Sequence, residues 1–319
     1  MPTARFTRTD LMLLALVGVW GINFSVVKSA ISGPDAPFTP FGFNALRFAV
    51  AALTLLILLR RTGEAVPASR RDWLAIAGLG LFGNLLYQVF FITGIDRTSP
   101  ANSSLILATT PVIVALIGVA LRLDRLAAPA WLGIVMSLAG MVVVVLGNGA
   151  SAAADRSTSS LPGDLLIFGA TVVWSIYTML AAPLLKRYSA TMVTSLSLTI
   201  GALPIILIAL PDLSRLDGNT IPITGWGAAI FSGMFGLAAA YVMWNRGVKV
   251  IGGARTAVYS NLIPIVAAAF AWLARGDAIT VYHLIGAAIV LTGIQLTRLG
   301  RRARPSYLVA GIIVRKLRG

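Results

Sequence analysis

This sequence is poor in the side chains that carry most enzyme chemistry. It has no cysteine and one histidine, and only 11 of its 319 residues are acidic. Without cysteine there are no disulfides and no thiol nucleophiles, and one histidine leaves metal sites with few ligands. His283 lies at the end of an apolar run, where we expect a surface side chain and not a ligand. We therefore predict no metal, no cofactor and no enzymatic activity.

Charged residues are also scarce. They make up 12% of the chain, against about 25% in a typical soluble domain. Apolar runs of about 20 residues, the length that crosses a bilayer, recur along the whole chain. Because backbone groups in lipid must be satisfied within each segment, the runs are predicted to be helices. The predicted fold is an all-α integral membrane protein with ten spans: residues 11–30, 40–59, 73–93, 99–121, 129–147, 164–184, 191–210, 225–245, 254–274 and 281–299.

Almost the whole chain consists of two copies of one sequence repeat. A shift of 153 positions aligns the middle of each half without a gap, and a shift of 154 aligns their first spans. The matched pairs include Asp10/Asp164, Trp20/Trp174, Phe82/Phe235, Ala101/Ala254, Pro111/Pro264, Asp124/Asp277, Gly133/Gly286 and Gly140/Gly293. A repeat at this scale indicates a duplicated architecture.

The repeat predicts four regions along the chain. These are a first five-helix unit (1–147), a polar linker (148–163), a second five-helix unit (164–300) and a basic tail (301–319). Five spans are an odd number, so the second unit enters the membrane upside down relative to the first. Inverted repeats are typical of transporters that hold a substrate near the midplane. A duplicated structural or receptor protein is the alternative.

The basic residues predict the orientation in the membrane. The net charge is +15, and the lysines and arginines concentrate at the two termini and in alternate connections. The positive-inside rule therefore places both termini in the cytoplasm and the linker outside. Because the charge reports topology, no nucleic-acid partner is expected. The expected partners are a small-molecule substrate and the lipid bilayer, with the chain acting as a monomer.

Polar and aromatic residues recur at one depth in six spans. Each of them alone is best explained by packing or by hydrogen bonds between helices. As repeat-related sets they indicate a central cavity, because polar groups inside a membrane usually face a bundle interior or water. The candidate substrate-binding residues are Trp20, Asn23, Phe24, Tyr87, Gln88, Phe91, Trp174, Tyr177, Tyr241, Asn245, Tyr259 and Ser260.

Glycines and prolines inside the spans also have a structural interpretation. Gly78, Gly80 and Gly83 match a dinucleotide-binding pattern, which requires a preceding strand. Inside an apolar helix they instead predict close helix packing. Pro111 and Pro264 free backbone carbonyls in mid-span, which is tolerable beside a cavity.

Charges within the spans are few. All the acidic residues lie in loops or at span ends, so no carboxylate is expected at membrane depth. A carrier that binds a cation or relays protons usually needs such a group. The sequence therefore predicts a net-neutral, zwitterionic cargo that moves without stoichiometric proton coupling. Arg47 lies deep in the second span and has either a structural role or a role in meeting an anionic group.

Several segments resemble a known family. Trp20-Gly-Ile-Asn-Phe24 followed by Lys28 resembles the opening of EamA-type members of the drug/metabolite transporter superfamily, and Arg47-Phe48 resembles that family's second-span pair. The resemblance implies ten helices in two inverted units and export of amino acids or small metabolites. Two departures separate the chain from relatives: span one lacks the glutamate of small multidrug carriers, and span nine lacks the mid-helix cation of phosphorylated-sugar antiporters.

The leading hypothesis is a bacterial inner-membrane secondary transporter. It would export amino acids or similar small neutral or zwitterionic metabolites by alternating access. One alternative is efflux of larger apolar drugs, and an alternative of a different class is a membrane scaffold or receptor without transport.

Overall fold

The structure, a computed structural model, describes residues 7–31, 36–97, 103, 106–146, 161–275 and 280–299. Most of the predicted linker, the basic tail and Asp277 lie outside the described residues. Within these ranges the chain is helical, without strands. Seven helical runs are long and apolar enough to cross a membrane, and the other three predicted spans coincide with shorter or interrupted helices. The seven are Arg8–Ile31, Pro40–Thr62, Arg70–Ile95, Leu161–Arg187, Ala190–Ile208, Ile223–Ile251 and Val281–Leu299.

Fourteen α-helices lie in the described ranges. They are α1 Arg8–Ile31, α2 Pro40–Thr62, α3 Arg70–Gly78, α4 Tyr87–Arg97, α5 Thr110–Ala120, α6 Ala128–Leu146, α7 Leu161–Arg187, α8 Ala190–Ile208, α9 Leu210–Ser214, α10 Ile223–Phe231, α11 Ala240–Ile251, α12 Gly253–Val258, α13 Ile263–Arg275 and α14 Val281–Leu299. A first π-helical segment, Leu79–Leu86, joins α3 to α4, and a second, Ser232–Ala239, joins α10 to α11. A 3₁₀ turn, Tyr259–Leu262, joins α12 to α13.

Equivalent helices in the two halves begin in the same way. Thr39 precedes α2 and its hydroxyl accepts from the Gly42 amide, while Ser189 precedes α8 and accepts from the Met192 amide. Both capping residues have φ −69° and ψ 155°. Hydroxyl caps of this kind satisfy amides that the first turn of a helix leaves free.

The halves contact each other in exchanged pairs. A Cβ atom on Gly140 would lie 2.8 Å from the Gly286 carbonyl oxygen, and one on Gly293 would lie 2.5 Å from the Gly133 carbonyl oxygen. Gly140 and Gly293 are repeat equivalents, and so are Gly133 and Gly286. The same contact is therefore made twice, with the roles of the two halves exchanged. The order of the two contacts also makes α6 and α14 antiparallel, with glycines that let their backbones approach closely.

The π-helical segments repeat the same exchange. They occupy equivalent positions under the shift of 153. A Cβ atom on Gly80 would lie 2.5 Å from the Ser197 carbonyl oxygen, and one on Gly233 would lie 2.7 Å from the Arg47 carbonyl oxygen. The close helix packing predicted for this glycine pattern is confirmed for Gly80 and Gly83, whereas a Cβ atom on Gly78 would meet nothing within 4 Å. Arg47 and Ser197 hold equivalent positions in α2 and α8.

One end of the bundle, here called the polar end, carries two charge networks, each built around a buried aspartate. Asp72 at the start of α3 accepts from both Nη atoms of Arg187 at 2.6 Å and from the Tyr188 hydroxyl at 2.6 Å. The latter bond raises the pKa of Tyr188 above its ordinary value. Asp10 in the first turn of α1 accepts from Arg298 at 2.8 Å and from the Tyr259 hydroxyl. Both networks join the first half to the second.

The opposite end, here called the apolar end, is closed by aromatic packing. The Phe38 ring lies 5.5 Å from the Phe43 ring and 6.0 Å from the Trp226 ring. Val27, Ala30, Ile221 and Ala229 belong to the same buried cluster. A Cβ atom on Gly225 would lie 3.4 Å from both Pro37 and Phe38. Burial of apolar area therefore holds this end together.

His283 is not the surface residue that the sequence suggested. It is 8% exposed, and its Nδ1 accepts from the Thr280 amide at 3.1 Å. The imidazole thereby satisfies an amide at the start of α14, which is a capping role.

Candidate functional site

A cavity of about 180 Å³ lies where helices of the two halves meet. Its lining mixes rings, amides, one guanidinium and apolar side chains. The lining residues are Trp20, Asn23, Arg47, Tyr87, Gln88, Phe91, Leu107, Ala108, Thr110, Met141, Trp174, Gly236, Leu237, Tyr241, Ser260, Asn261, Ile263 and Pro264.

Interrupted helices border this cavity. Helix α5 begins at Thr110, next to Pro111, after a turn at Ala108 and Thr109. On the other side, the 3₁₀ turn Tyr259–Leu262 precedes Pro264. Irregular backbone at membrane depth is tolerated where protein or a cavity surrounds it. The predicted placement of the two prolines agrees with this arrangement, although each stands at a helix start rather than inside a continuous helix.

Aromatic rings form one wall. The Trp174 ring lies 5.0 Å from the Tyr241 ring, 5.1 Å from the Tyr87 ring and 6.1 Å from the Trp20 ring. Tyr87 also stacks on Phe91 at 5.5 Å. The Trp20 indole is fixed because its Nε1 donates to the Gly236 carbonyl at 2.9 Å. Such a wall offers apolar area and ring faces that attract a cation.

Repeat equivalents meet in the cavity. Trp20 and Trp174 are equivalent under the shift of 154, and Gln88 and Tyr241 under the shift of 153. The two tryptophans are in contact, and the Gln88 Nε2 donates to the Tyr241 hydroxyl at 3.4 Å. The cavity therefore lies at the interface between the two units.

Arg47 is the charged member of the lining. It is 3% exposed, and its Nε donates to Asn44 Oδ1 at 2.8 Å while its Nη2 donates to Gln88 Oε1 at 2.9 Å. Its Nη1 has a longer contact with the Ser232 hydroxyl, 3.4 Å. Within the described ranges no carboxylate pairs with Arg47. Neutral oxygens thus orient the guanidinium without neutralising it.

Two amide oxygens complete the polar lining. Neither Asn23 Oδ1 nor Asn261 Oδ1 has a hydrogen-bond partner within the described part of the chain, although both atoms are buried. The orientation of Asn261 follows from its neighbours: Ser137 donates to the Ile134 carbonyl, so its oxygen accepts from Asn261 Nδ2 at 3.0 Å. The Oδ1 atom of Asn261, like that of Asn23, is therefore an acceptor that no donor of the described chain uses, and a bound donor can use it.

The structure brings eight of the twelve predicted residues to the cavity. The eight are Trp20, Asn23, Tyr87, Gln88, Phe91, Trp174, Tyr241 and Ser260. Three others lie elsewhere: Asn245 donates to the Tyr177 hydroxyl at 2.9 Å behind the wall, and Tyr259 donates to Asp10 at the polar end. The Phe24 side chain lies outside what the structure describes.

Sequence reasoning missed three polar members: Thr110, Asn261 and Arg47. Asn261 follows the predicted Ser260, and a polar residue in an apolar span was its available signal. Arg47 was identified as a deep charge but was not assigned to the site. The position of Arg47 in the sequence gave no indication that Gln88 and Tyr241 would lie beside its side chain.

The arrangement suits binding rather than bond-breaking chemistry. In the described part of the chain, no group of three or more histidine, aspartate or glutamate side chains could hold a metal. The buried carboxylates Asp10 and Asp72 lie at helix starts at the polar end and are not among the lining residues.

Comparisons with known proteins agree with this geometry. The profile of the EamA-like transporter family matches residues 7–146 and again residues 161–299. The uncharacterized transporter YyaM of Bacillus subtilis is 30% identical over 93% of this chain and 95% of that protein. The probable terminal-alkyne amino-acid exporter of Streptantibioticus cattleyicolor is 26% identical over 92% of this chain and 95% of that protein.

A solved crystal structure has the same fold. It superposes with a TM-score of 0.73 at 22% identity, covering 94% of this chain and 99% of that one. The double profile match covers both halves, and the similar proteins named above are transporters and not enzymes. The chain therefore belongs to the EamA-like transporter family and is a multi-pass membrane transporter, not an enzyme.

Proposed function

We propose that this protein is a secondary transporter that exports amino acids or similar small zwitterionic metabolites across the bacterial inner membrane. The observation that carries the proposal is the cavity at the interface of the two units, which combines a guanidinium, free amide oxygens and an aromatic wall. These groups can bind a carboxylate, an ammonium and an apolar side chain respectively. The name of the Streptantibioticus relative agrees with an amino-acid cargo.

The transport cycle is alternating access between two inverted five-helix units, 1–147 and 164–300. The exchanged contacts between the halves support a pseudo-two-fold relation, and the antiparallel pairing of α6 and α14 supports an axis perpendicular to the helices. Transporters with such repeats rock one unit against the other around a central site. We further propose that both termini are cytoplasmic, because the basic residues favour that side, and that the chain works as a monomer.

The size of the cavity favours a small cargo over a large drug. Its volume is about 180 Å³, below the roughly 300–1,000 Å³ of pockets for drug-sized ligands. Flux of labelled amino acids into proteoliposomes, in competition with unlabelled amino acids or with apolar dyes, tests this. Competition by the dyes alone would favour drug efflux, and no flux of any solute would favour a scaffold.

Cavity variants test the site itself. Asn23→Ala removes a free acceptor from the lining and is expected to reduce flux about tenfold while the protein stays folded. Asn245→Ala is the matched control, since Asn245 is also a buried amide but bonds Tyr177 and Thr194 behind the wall. It should lower thermal stability more than substrate affinity. Removal of the Trp174 or Tyr241 ring should impair flux as Asn23→Ala does.

Coupling and orientation have separate tests. We propose transport down the cargo's own gradient, because the buried carboxylates of the described chain are engaged at the polar end. Flux is measured with and without an imposed proton gradient, and uphill accumulation driven by that gradient alone overturns the uncoupled mechanism. Reporter fusions in the 148–163 linker and at the C-terminus test the orientation, and a C-terminus outside overturns the inverted repeat.

A further inference from the structure

We propose that Arg47 is the carboxylate-binding residue of the cavity, so that the cargo must carry a carboxylate. This inference rests on the proposed function, because it assigns the part of the substrate that one wall recognises. It makes Arg47 a determinant of specificity, in addition to the rings and amides that line the rest of the cavity.

The first argument is the missing counter-charge. Charged side chains inside a membrane are costly and almost always pair with each other or with backbone carbonyls. The guanidinium carbon of Arg47 lies 6.0 Å from the centroid of the Phe43 ring, which is a neutral group. Arg47 is 3% exposed, and its hydrogen-bond partners within the described chain are the side chains of Asn44, Gln88 and Ser232. These partners aim the planar guanidinium, which matches the two oxygens of a carboxylate. The charge itself is left for a ligand to neutralise.

The second argument comes from the repeat. Gly80 packs on the Ser197 carbonyl as Gly233 packs on the Arg47 carbonyl, so the two residues hold equivalent positions. The second unit fills this position with a small hydroxyl that donates to the Thr194 carbonyl at 3.4 Å. The helix packing therefore accepts a serine, and nothing in the shared scaffold requires an arginine. Because only the first unit has an arginine at this position, the two sides of the cavity differ in charge.

The third argument is the chemistry of the remaining lining. Asn23 Oδ1 and Asn261 Oδ1 are buried acceptors without partners in the described chain. They can accept from an ammonium group but repel a carboxylate, because both carry partial negative charge. A ligand with both groups would thus be oriented with its carboxylate at Arg47 in the first unit.

The first experiment changes the ligand and leaves the protein intact. Wild-type protein in proteoliposomes is tested with each of a panel of labelled L-amino acids, in competition with the same unlabelled acid or its carboxamide. The carboxamide keeps the ammonium and the side chain but loses the charged oxygens. Since charge-assisted bonds are about twice as strong as neutral ones, we expect the amide to compete at least about tenfold more weakly.

The second experiment changes Arg47. Arg47→Gln should bring the ratio of competition strengths, acid to carboxamide, close to one. Arg47→Lys should leave an intermediate ratio, because lysine keeps the charge but lacks the planar, bidentate donor geometry of the guanidinium. Arg61→Gln is the matched control: the same substitution, on the same helix, at an exposed position in its last turn. It should retain the wild-type ratio. If Arg47→Gln does not fold, the lysine variant and the wild-type ligand series still show whether Arg47 binds the carboxylate.

The outcomes separate this inference from the proposed function. Equal competition by acids and amides on wild-type protein overturns the role of Arg47 but leaves the transporter standing. A wild-type ratio retained in Arg47→Gln also overturns it. Absence of flux for every amino acid tested overturns the proposed function instead.

Discussion

The two ends of this bundle occupy equivalent positions in the repeat but are held together by different forces. At the polar end Asp72 meets Arg187 and Tyr188. At the apolar end Gly225 is the equivalent of Asp72, and Pro37 and Phe38 precede the cap Thr39 as Arg187 and Tyr188 precede the cap Ser189. These residues meet in the same pairing, through van der Waals contact. The duplicated backbone thus keeps its contacts while the chemistry at each contact has diverged.

The second polar network differs from its repeat equivalent in the same way. Asp10 bonds Tyr259 and Arg298. The positions equivalent to Tyr259 and Arg298 are Ile106 and Val145, so the first half has no tyrosine and arginine there. Ion pairs depend on geometry and are lost over a short distance, whereas apolar packing is less directional. In the proposed cycle, opening the polar end requires breaking two specific networks, while opening the apolar end requires separating rings.

The largest effect is expected from copying the charge to the wrong end. Gly225→Asp puts a carboxylate at the position equivalent to Asp72, but the neighbouring Pro37 and Phe38 cannot pair with it. A buried unpaired charge costs about 4 kcal/mol, so folded yield should collapse. Gly225→Ala is the control, with an expected cost of about 1 kcal/mol or less. Both are read from unfolding midpoints in a mixed-detergent titration, and equal midpoints would contradict the comparison.

Removing the charge from the polar end should have the next largest effect. Asp10→Asn leaves Arg298 without its carboxylate and weakens the bonds from Thr7 and Tyr259. We expect a loss of about 3 kcal/mol in unfolding free energy. Asp212→Asn, at the apolar end, removes a carboxylate whose contact with Thr39 is exposed, and should cost clearly less. A larger loss for Asp212→Asn would mean that the two ends do not differ as described.

A smaller effect is expected on the conformational equilibrium. Asp72→Asn weakens the contact with Arg187 and should favour opening of the polar end. Because the chain has no cysteine, a single Ser260→Cys reports access to the cavity without background. Labelling by an impermeant maleimide from the polar end should rise on the order of fivefold. The double variant Asp72→Arg with Arg187→Asp should restore slow labelling, and unchanged labelling in Asp72→Asn would argue against a gating role.

The smallest expected effect lies where the ends share their chemistry. Thr39 and Ser189 cap α2 and α8 with the same geometry. Thr39→Ala and Ser189→Ala should therefore each cost about 1 kcal/mol of unfolding free energy. Thr39 also donates to Asp212 at 2.8 Å, an exposed contact that should add little. Costs that differ by more than about twofold would show that the cap positions have diverged as well.

Several features of this protein follow from its sequence alone. Apolar runs of membrane-spanning length and the scarcity of charge determine a helical membrane protein, because lipid leaves the backbone few other solutions. The register of 153 and 154 positions determines the duplication, and the π-helical segments fall on that register. Eight of the residues selected by polar and aromatic periodicity line one cavity.

Tertiary structure decided which of the polar faces meet. Periodicity tells which side chains share one face of a helix but not what that face packs against. Tyr177 and Asn245 therefore bond each other behind the wall, and Tyr259 reaches Asp10. Only the tertiary packing brings Arg47 of α2 beside Gln88 of α4 in the cavity. Tertiary structure likewise decided the contrast between the polar and apolar ends, because the ion pairs Asp72–Arg187 and Asp10–Arg298 join residues from different halves of the chain.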